Sequence, residues 1–73
     1  MDKKHGWVLE DTENGGFVGF RDMDYVGALS IGKAIVLSTR KEARECDFKM
    51  NGDVVRKVRL DKEGYAFEVI PGR

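Results

Sequence analysis

The stretch of residues 34–43, A-I-V-L-S-T-R-K-E-A, constrains the fold most, because it joins a strand-like segment directly to the start of a helix. Residues 35–37 are apolar and include two β-branched side chains, which favour extended structure. Thr39 and Glu42 then have the spacing of a capping box, in which two side chains satisfy free amides at a helix start. We therefore predict a helix that begins after Thr39.

Two structures fit the residues that follow. Ala43, Cys46 and Met50 lie at i, i+3 and i+7, one face of a helix of about three turns that Asn51-Gly52 would end. Alternatively, apolar residues alternate with polar ones over 46–50, and Asn51-Gly52 is a strong hairpin signal. The helix is favoured, because in the hairpin register the main apolar set of the next strand would lie on the opposite face. The hairpin strand stays open as the alternative.

A β-hairpin is predicted on the N-terminal side, around the turn-rich sequence D-T-E-N-G-G at residues 11–16. A loop of Thr12–Gly15 pairs Leu9 with Val18 and Trp7 with Phe20, and places all four side chains on the buried face. Residues 1–5 are charged and are expected to be a disordered leader, and residues 21–33 are interpreted as a loop interrupted by glycines.

A second hairpin is predicted from strands 53–60 and 65–70 around the loop 61–64. This loop length pairs Leu60 with Tyr65 and Val58 with Phe67 on an apolar face. On the other face it places Lys57 opposite Glu68, a favourable cross-strand charge pair.

Together these elements predict one α+β domain over residues 1–73. It consists of an antiparallel β-sheet of four or five strands with one helix packed on one face, in the order β-β-(β)-α-β-β. The predicted core comprises Trp7, Leu9, Val18, Phe20, Leu37, Ala43, Cys46, Met50, Val54, Val58, Leu60, Tyr65, Phe67 and Val69.

Composition and charge narrow the classes of protein. The chain has 13 basic and 13 acidic residues, so it lacks the basic excess of a typical nucleic-acid binder. Residues 1–32 carry three basic and six acidic side chains, whereas residues 33–73 carry ten and seven, which makes the molecule electrically polar. No apolar run approaches the roughly 18 residues of a membrane span, and a single cysteine fits a reducing compartment. We expect a cytoplasmic protein that does not bind membranes.

Catalytic, metal and cofactor chemistry is not predicted. His5 and Cys46 are the only residues of their types, and they supply neither a positioned nucleophile with its base nor four zinc ligands. Asp22 and Asp24 lack the spacing of a calcium loop, and no phosphate-binding glycine motif occurs. We therefore expect no enzyme activity, no cofactor and no small-molecule substrate.

The predicted registers leave apolar side chains on the sheet face opposite the helix. These are Val8, Phe17, Val55 and Ile70. An apolar patch with a charged rim is typical of a protein interface, so we expect this patch to bind a protein partner or a second copy of the chain in a homodimer. The acidic segment Glu10–Asp24 is the other surface considered for a protein partner.

The alternative function is a nucleic-acid-binding accessory domain that uses the basic helix, with Arg40, Lys41, Arg44 and Lys49 as the contacts. This alternative is weaker because Lys57 and Arg59 are predicted to face away from the helix, so the cations form no continuous strip. Exposed aromatic residues for base stacking are also few.

The layout resembles that of small phage and prophage α+β proteins, in which a hairpin precedes an A-x-x-[FL]-x-T-x-x-E-A stretch and a closing hairpin follows it. The matching residues are Ala34, Leu37, Thr39, Glu42 and Ala43, followed by Val54, Val55 and Val58. The resemblance spans residues 7–70. Such proteins include host-directed inhibitors, anti-CRISPR proteins among them. The resemblance therefore implies a stoichiometric inhibitor of a host protein, acting in the cytoplasm of a bacterial host cell.

Overall fold

The computed structural model describes residues 4–71 and contains one antiparallel five-stranded sheet in the order β3-β2-β1-β4-β5. The elements are β1 Lys4–Asp11, β2 Phe17–Arg21, β3 Asp24–Leu29, a 3-10 turn Ile31–Lys33, α1 Arg40–Glu45, β4 Asp53–Leu60 and β5 Ala66–Val69. The predicted α+β class, an antiparallel sheet of four or five strands with one helix, is confirmed, and the sheet has five strands. The helix packing and the identity of the third strand differ from the prediction.

Both faces of the sheet are covered, whereas the sequence predicted one covered face. Val8 and Leu9 are consecutive in β1, so their side chains point to opposite faces, and both are buried. Val8 packs with Val58 and Ala66 beneath residues 31–36, whereas Leu9 packs on the other side with Ala43 of α1. The prediction of a bare outer face was therefore wrong.

The segment that covers the second face passes between β1 and β2. Trp7 and Leu37 exchange two backbone hydrogen bonds (3.0 and 2.8 Å), and the Ile35 amide donates to the Val18 carbonyl (3.1 Å). Residues 34–37 thus pair with β1 and β2 at single positions and do not form the predicted strand. Glycine permits this close approach, because a Cβ at Gly19 would overlap the carbonyl oxygen of Lys33.

The third strand, β3, lies in the region interpreted as a loop. β2 and β3 are joined at Asp22 and Met23, which both have positive φ (53° and 65°), as in a type I′ hairpin turn. Ala28 also has positive φ (62°), and the β2–β3 register shifts between Phe17 and Gly19. These irregularities break the alternation of apolar and polar residues, which is why the sequence did not predict the strand.

The first hairpin keeps the predicted register only next to its loop. Glu10 is opposite Phe17, and the Asp11 amide donates to the Gly16 carbonyl (2.9 Å). β2 then leaves β1 and continues along β3, so Phe20 is exposed and not in the core. Residues 4 and 5, predicted to be disordered, pair with β4 as the start of β1, while residues 1–3 lie outside the described residues.

The helix starts where predicted but is shorter. The Thr39 hydroxyl accepts a hydrogen bond from the Glu42 amide (3.1 Å), and the Glu42 carboxylate accepts one from the Ser38 amide (3.0 Å). The helix ends at Glu45, and residues 46–50 form neither helix nor strand. A continued helix would rotate Phe48 roughly 140° away from Ala43. The chain instead bends, and Phe48 packs against the core cluster that contains Ala43.

The closing hairpin has a different register from the predicted one. Arg59 is opposite Glu68, and the register shifts before Leu60, which faces Ala66. The ion pair therefore joins Arg59 Nε to Glu68 Oε1 (3.0 Å), so the predicted Lys57–Glu68 pair was wrong. The Asp61 carboxylate accepts hydrogen bonds from two amides of the loop and holds this geometry. Predicted core residues that the structure leaves exposed are Phe20, Met50, Val54, Tyr65 and Phe67.

Candidate functional site

The apolar patch predicted as the partner-binding surface is not formed. Val8 is fully buried, and Phe17 is half-buried against the same cluster. Val55 is directly opposite Leu9 on the neighbouring strand, so it packs with Leu9 on the other face of the sheet. Ile70 is half-buried. The structure therefore does not bring these four side chains to one exposed surface.

Three aromatic side chains, two of them exposed and one half-buried, instead form a row at the surface. The ring centroids of Phe20 and Tyr25 are 5.1 Å apart in an edge-to-face arrangement. The Tyr25 and Phe48 rings stack, with centroids 4.4 Å apart and planes within 8°. Phe20 and Tyr25 are 55% and 50% exposed. We call Phe20, Tyr25 and Phe48 the aromatic row.

Three separate parts of the chain position the aromatic row. Phe20 and Tyr25 are cross-strand partners at the end of the β2–β3 hairpin. Phe48 comes from the segment after α1 and packs against the core cluster that contains Ala43. The row is not evident from the sequence, because the pattern indicates a loop around Tyr25 and a core position for Phe20.

An open cleft of about 770 Å³ lies beside the aromatic row, and Tyr25, Phe48 and Met50 form part of its wall. Its charged lining consists of the carboxylates of Asp11, Glu13, Asp24 and Asp53. None of the described residues that line it is a lysine or an arginine. We call it the acidic cleft, because four carboxylates give it a negative potential.

Two of these carboxylates also hold the neighbouring loops in place. Asp11 and Asp53 are directly opposite each other on β1 and β4, and both are buried. Asp11 accepts hydrogen bonds from the Asn14 side chain (3.1 Å) and from the amides of Asn14 and Glu13 (3.2 and 3.1 Å). The bonds from Asn14, foremost that from its side chain, hold the pKa of Asp11 below its ordinary value of 3.8. The Asp53 carboxylate accepts from the Met50 amide (2.9 Å).

The four basic residues that the alternative function assigns to nucleic-acid contact are all exposed. These are Arg40, Lys41, Arg44 and Lys49. Lys57 lies opposite Trp7, and its Nζ is 5.8 Å from the centre of the Trp7 ring. Trp7 packs on the cluster that contains Ala43 of α1, so Lys57 is on the same side of the sheet as the helix. The prediction that Lys57 faces away from the helix was wrong.

His5 and Cys46, for which no catalytic or metal role is predicted, belong neither to the aromatic row nor to the lining of the acidic cleft. His5 is exposed in β1, and the thiol of Cys46 is half-buried and donates to the Ala43 carbonyl (3.4 Å). Within residues 4–71, no group of three or more His, Cys, Asp or Glu side chains is arranged to hold a metal ion. Over the same residues, no helix is long and apolar enough to cross a bilayer.

The chain has no significant match to any known family model, to any curated protein or to any solved structure. Its function is therefore inferred from its own surface.

Proposed function

We propose that this chain is a non-enzymatic protein-binding protein and that the aromatic row, with Met50 beside it, is the binding surface. The aromatic row is the observation on which this proposal rests. Aromatic residues and methionine are enriched at the centres of protein interfaces, where a few large side chains contribute most of the binding free energy. Met50 is 70% exposed and lines the cleft next to the row, so it extends the same apolar surface.

The turn at the end of the β2–β3 hairpin supports this assignment. Met23 is 89% exposed and has a φ of 65°, a conformation that costs a methionine more than a glycine. The Met23 side chain therefore lies almost entirely outside the packed core. Backbone strain of this kind is concentrated at functional sites, and Met23 lies two residues from Tyr25.

Binding without chemistry is how a stoichiometric inhibitor acts, which is the role that the phage-like layout of the sequence implies. Such an inhibitor needs a rigid contact surface and no catalytic groups. The aromatic row meets this need, because its rings stack on one another and one of them is anchored in the core.

The experiment is a pull-down from bacterial lysate with the tagged protein, with and without nuclease, read by mass spectrometry. The test variant is Tyr25→Ala and the matched control is Tyr65→Ala, which removes a ring that is 59% exposed outside the row. We expect one protein to be retained at near-stoichiometric amounts by the wild type and by Tyr65→Ala, and to be lost with Tyr25→Ala. Equal retention by both variants would exclude the row as the binding surface.

Self-association is tested in the same set of proteins by analytical ultracentrifugation. If the partner is a second copy of the chain, the wild type and Tyr65→Ala are dimers and Tyr25→Ala is a monomer. A dimer that persists in Tyr25→Ala would place the subunit interface elsewhere and would count against the row.

The second candidate function is nucleic-acid binding on the helix side of the sheet. The specific observation in its favour is that Lys57 shares this side with the basic helix. Fluorescence anisotropy with a labelled DNA duplex tests it, and binding should weaken steeply between about 50 and 200 mM salt. Lys41→Glu should abolish binding, whereas Lys62→Glu in the 61–64 loop should reduce it little. Absence of binding at low salt would end this candidate.

A further inference from the structure

We infer that the partner presents a cationic segment, and that an arginine side chain of this segment enters the acidic cleft beside the aromatic row. The inference rests on the proposed function, because it names the chemistry of the partner that the same surface would bind.

The acidic cleft is negatively charged. Asp24 and Glu13 are exposed at its wall, and Asp11 and Asp53 lie deeper, each held by hydrogen bonds from the protein. The ion pairs of residues 4–71 are elsewhere, since they join Arg56 to Glu10 and Arg59 to Glu68. Among the described residues no lysine or arginine lines the cleft or pairs with its four carboxylates, so their negative potential would attract a cationic side chain of a partner.

The wall of the acidic cleft is partly aromatic. Tyr25 and Phe48 both line it, and their stacked rings offer apolar surface and π-electron density next to the carboxylates. A guanidinium group is planar, stacks on aromatic rings and pairs with carboxylates through two parallel hydrogen bonds. Arginine therefore matches both the carboxylates and the rings, whereas a lysine ammonium matches the charge alone.

Other classes of occupant fit this cleft less well. A purely apolar segment on the aromatic row would remove the carboxylates of Asp24 and Glu13 from water without a partner, which is strongly unfavourable. A nucleic acid would bring phosphates against four negative charges. The described residues hold no arrangement for a metal ion. A cationic segment with apolar neighbours is the one occupant that satisfies the row and the cleft together.

The experiment uses the full chain and two fluorescein-labelled ten-residue peptides that alternate leucine with arginine or with citrulline, its neutral isostere. We expect the arginine peptide to bind at concentrations up to about 1 mM and the citrulline peptide to bind about ten- to a hundredfold more weakly, as the loss of a charge-assisted hydrogen bond predicts. Binding of the arginine peptide should weaken as salt is raised.

Variants locate the contact. Asp24→Asn keeps an acceptor for the Tyr25 amide (2.8 Å from the Asp24 carboxylate) but removes the charge, and should weaken binding of the arginine peptide several-fold. Tyr25→Ala should weaken it as well. The matched control Glu63→Gln removes one exposed charge from the 61–64 loop and should leave binding unchanged.

The outcomes separate this inference from the proposed function. If both peptides bind equally and Tyr25→Ala weakens both, the row is a binding surface and the cationic partner is refuted. If neither peptide binds, or if Glu63→Gln weakens binding as much as Asp24→Asn, the cationic partner is also refuted. The lysate experiment with Tyr25→Ala then decides the proposed function separately.

Discussion

Truncation of Val8 tests whether the sheet buries both of its faces. Val8 is 0% exposed and packs with Val58 and Ala66 beneath residues 31–36. Val8→Ala removes two methyl groups, at about 0.8 kcal/mol each in transfer free energy, and leaves a cavity of roughly 50 Å³ at about 24 cal/mol per Å³. The expected loss is therefore about 2–3 kcal/mol of the free energy of unfolding.

This loss is large for a chain of 73 residues. A domain of this size has a total free energy of unfolding of about 4–11 kcal/mol, and its melting temperature falls by about 4–8 °C for each kcal/mol lost. Val8→Ala should consequently melt about 10–20 °C below the wild type. Urea titrations followed by the fluorescence of Trp7, the one tryptophan in the chain, measure both the midpoint and the slope.

Two companion variants make the result specific. Val54→Ala removes the same two methyl groups from a valine that is 37% exposed in β4, and should cost about 1 kcal/mol or less. Leu9→Ala, on the opposite face, should cost about 2–5 kcal/mol. If Val8→Ala cost less than about 0.5 kcal/mol with an unchanged urea slope, Val8 would lie on an exposed face and residues 31–36 would not cover it.

Three further predictions follow from the backbone and the loops. Gly19→Ala should lower the free energy of unfolding by about 1–3 kcal/mol, because the new Cβ overlaps a backbone carbonyl; Gly32→Ala, where a Cβ meets nothing closer than 4.0 Å, is the control, and equal urea midpoints would contradict the close approach. Met23→Gly should raise the stability by about 0.5–1 kcal/mol, because glycine relieves the positive φ, and a lower urea midpoint would show that the methionine side chain stabilises the turn. The folded-state pKa of Asp11 lies below 3.8, so its contribution to stability is present above pH 3.8 and is lost as pH falls through the lower value. Asp11→Asn should therefore flatten the pH dependence of the urea midpoint below about pH 4, and an unchanged profile would exclude this linkage.

Features that depend on neighbouring residues were predictable from the sequence. The Thr39 cap and the Glu10–Phe17 register follow from hydrogen bonds and turn preferences within a few residues, and both are present. The two hairpins and an antiparallel sheet of four or five strands followed from apolar alternation and turn chemistry in the same way, whereas the position of β3 did not. The end of the helix did not, because Phe48 packs against residues far away in the chain.

The candidate site depends on contacts between distant segments, and the sequence did not predict it. The aromatic row requires that β2 leave β1, that Asp22 and Met23 form a tight turn, and that the chain bend before Phe48. Neither the departure of β2 from β1 nor the bend before Phe48 has a local signal, since a break in strand pairing depends on which segment competes for the edge.

The sequence by itself determined which residues alternate, where the helix begins and where the turns lie, because short-range hydrogen bonds and side-chain spacing decide these features. The tertiary structure alone decided which face of each strand is covered. Val8 and Leu9 point to opposite faces whether the sheet has one covered face or two. Because residues 34–37 pass between β1 and β2, both faces are covered. That choice buries the predicted interface and leaves Phe20 and Tyr25 outside, because the free energy of covering apolar surface is gained between segments distant in sequence.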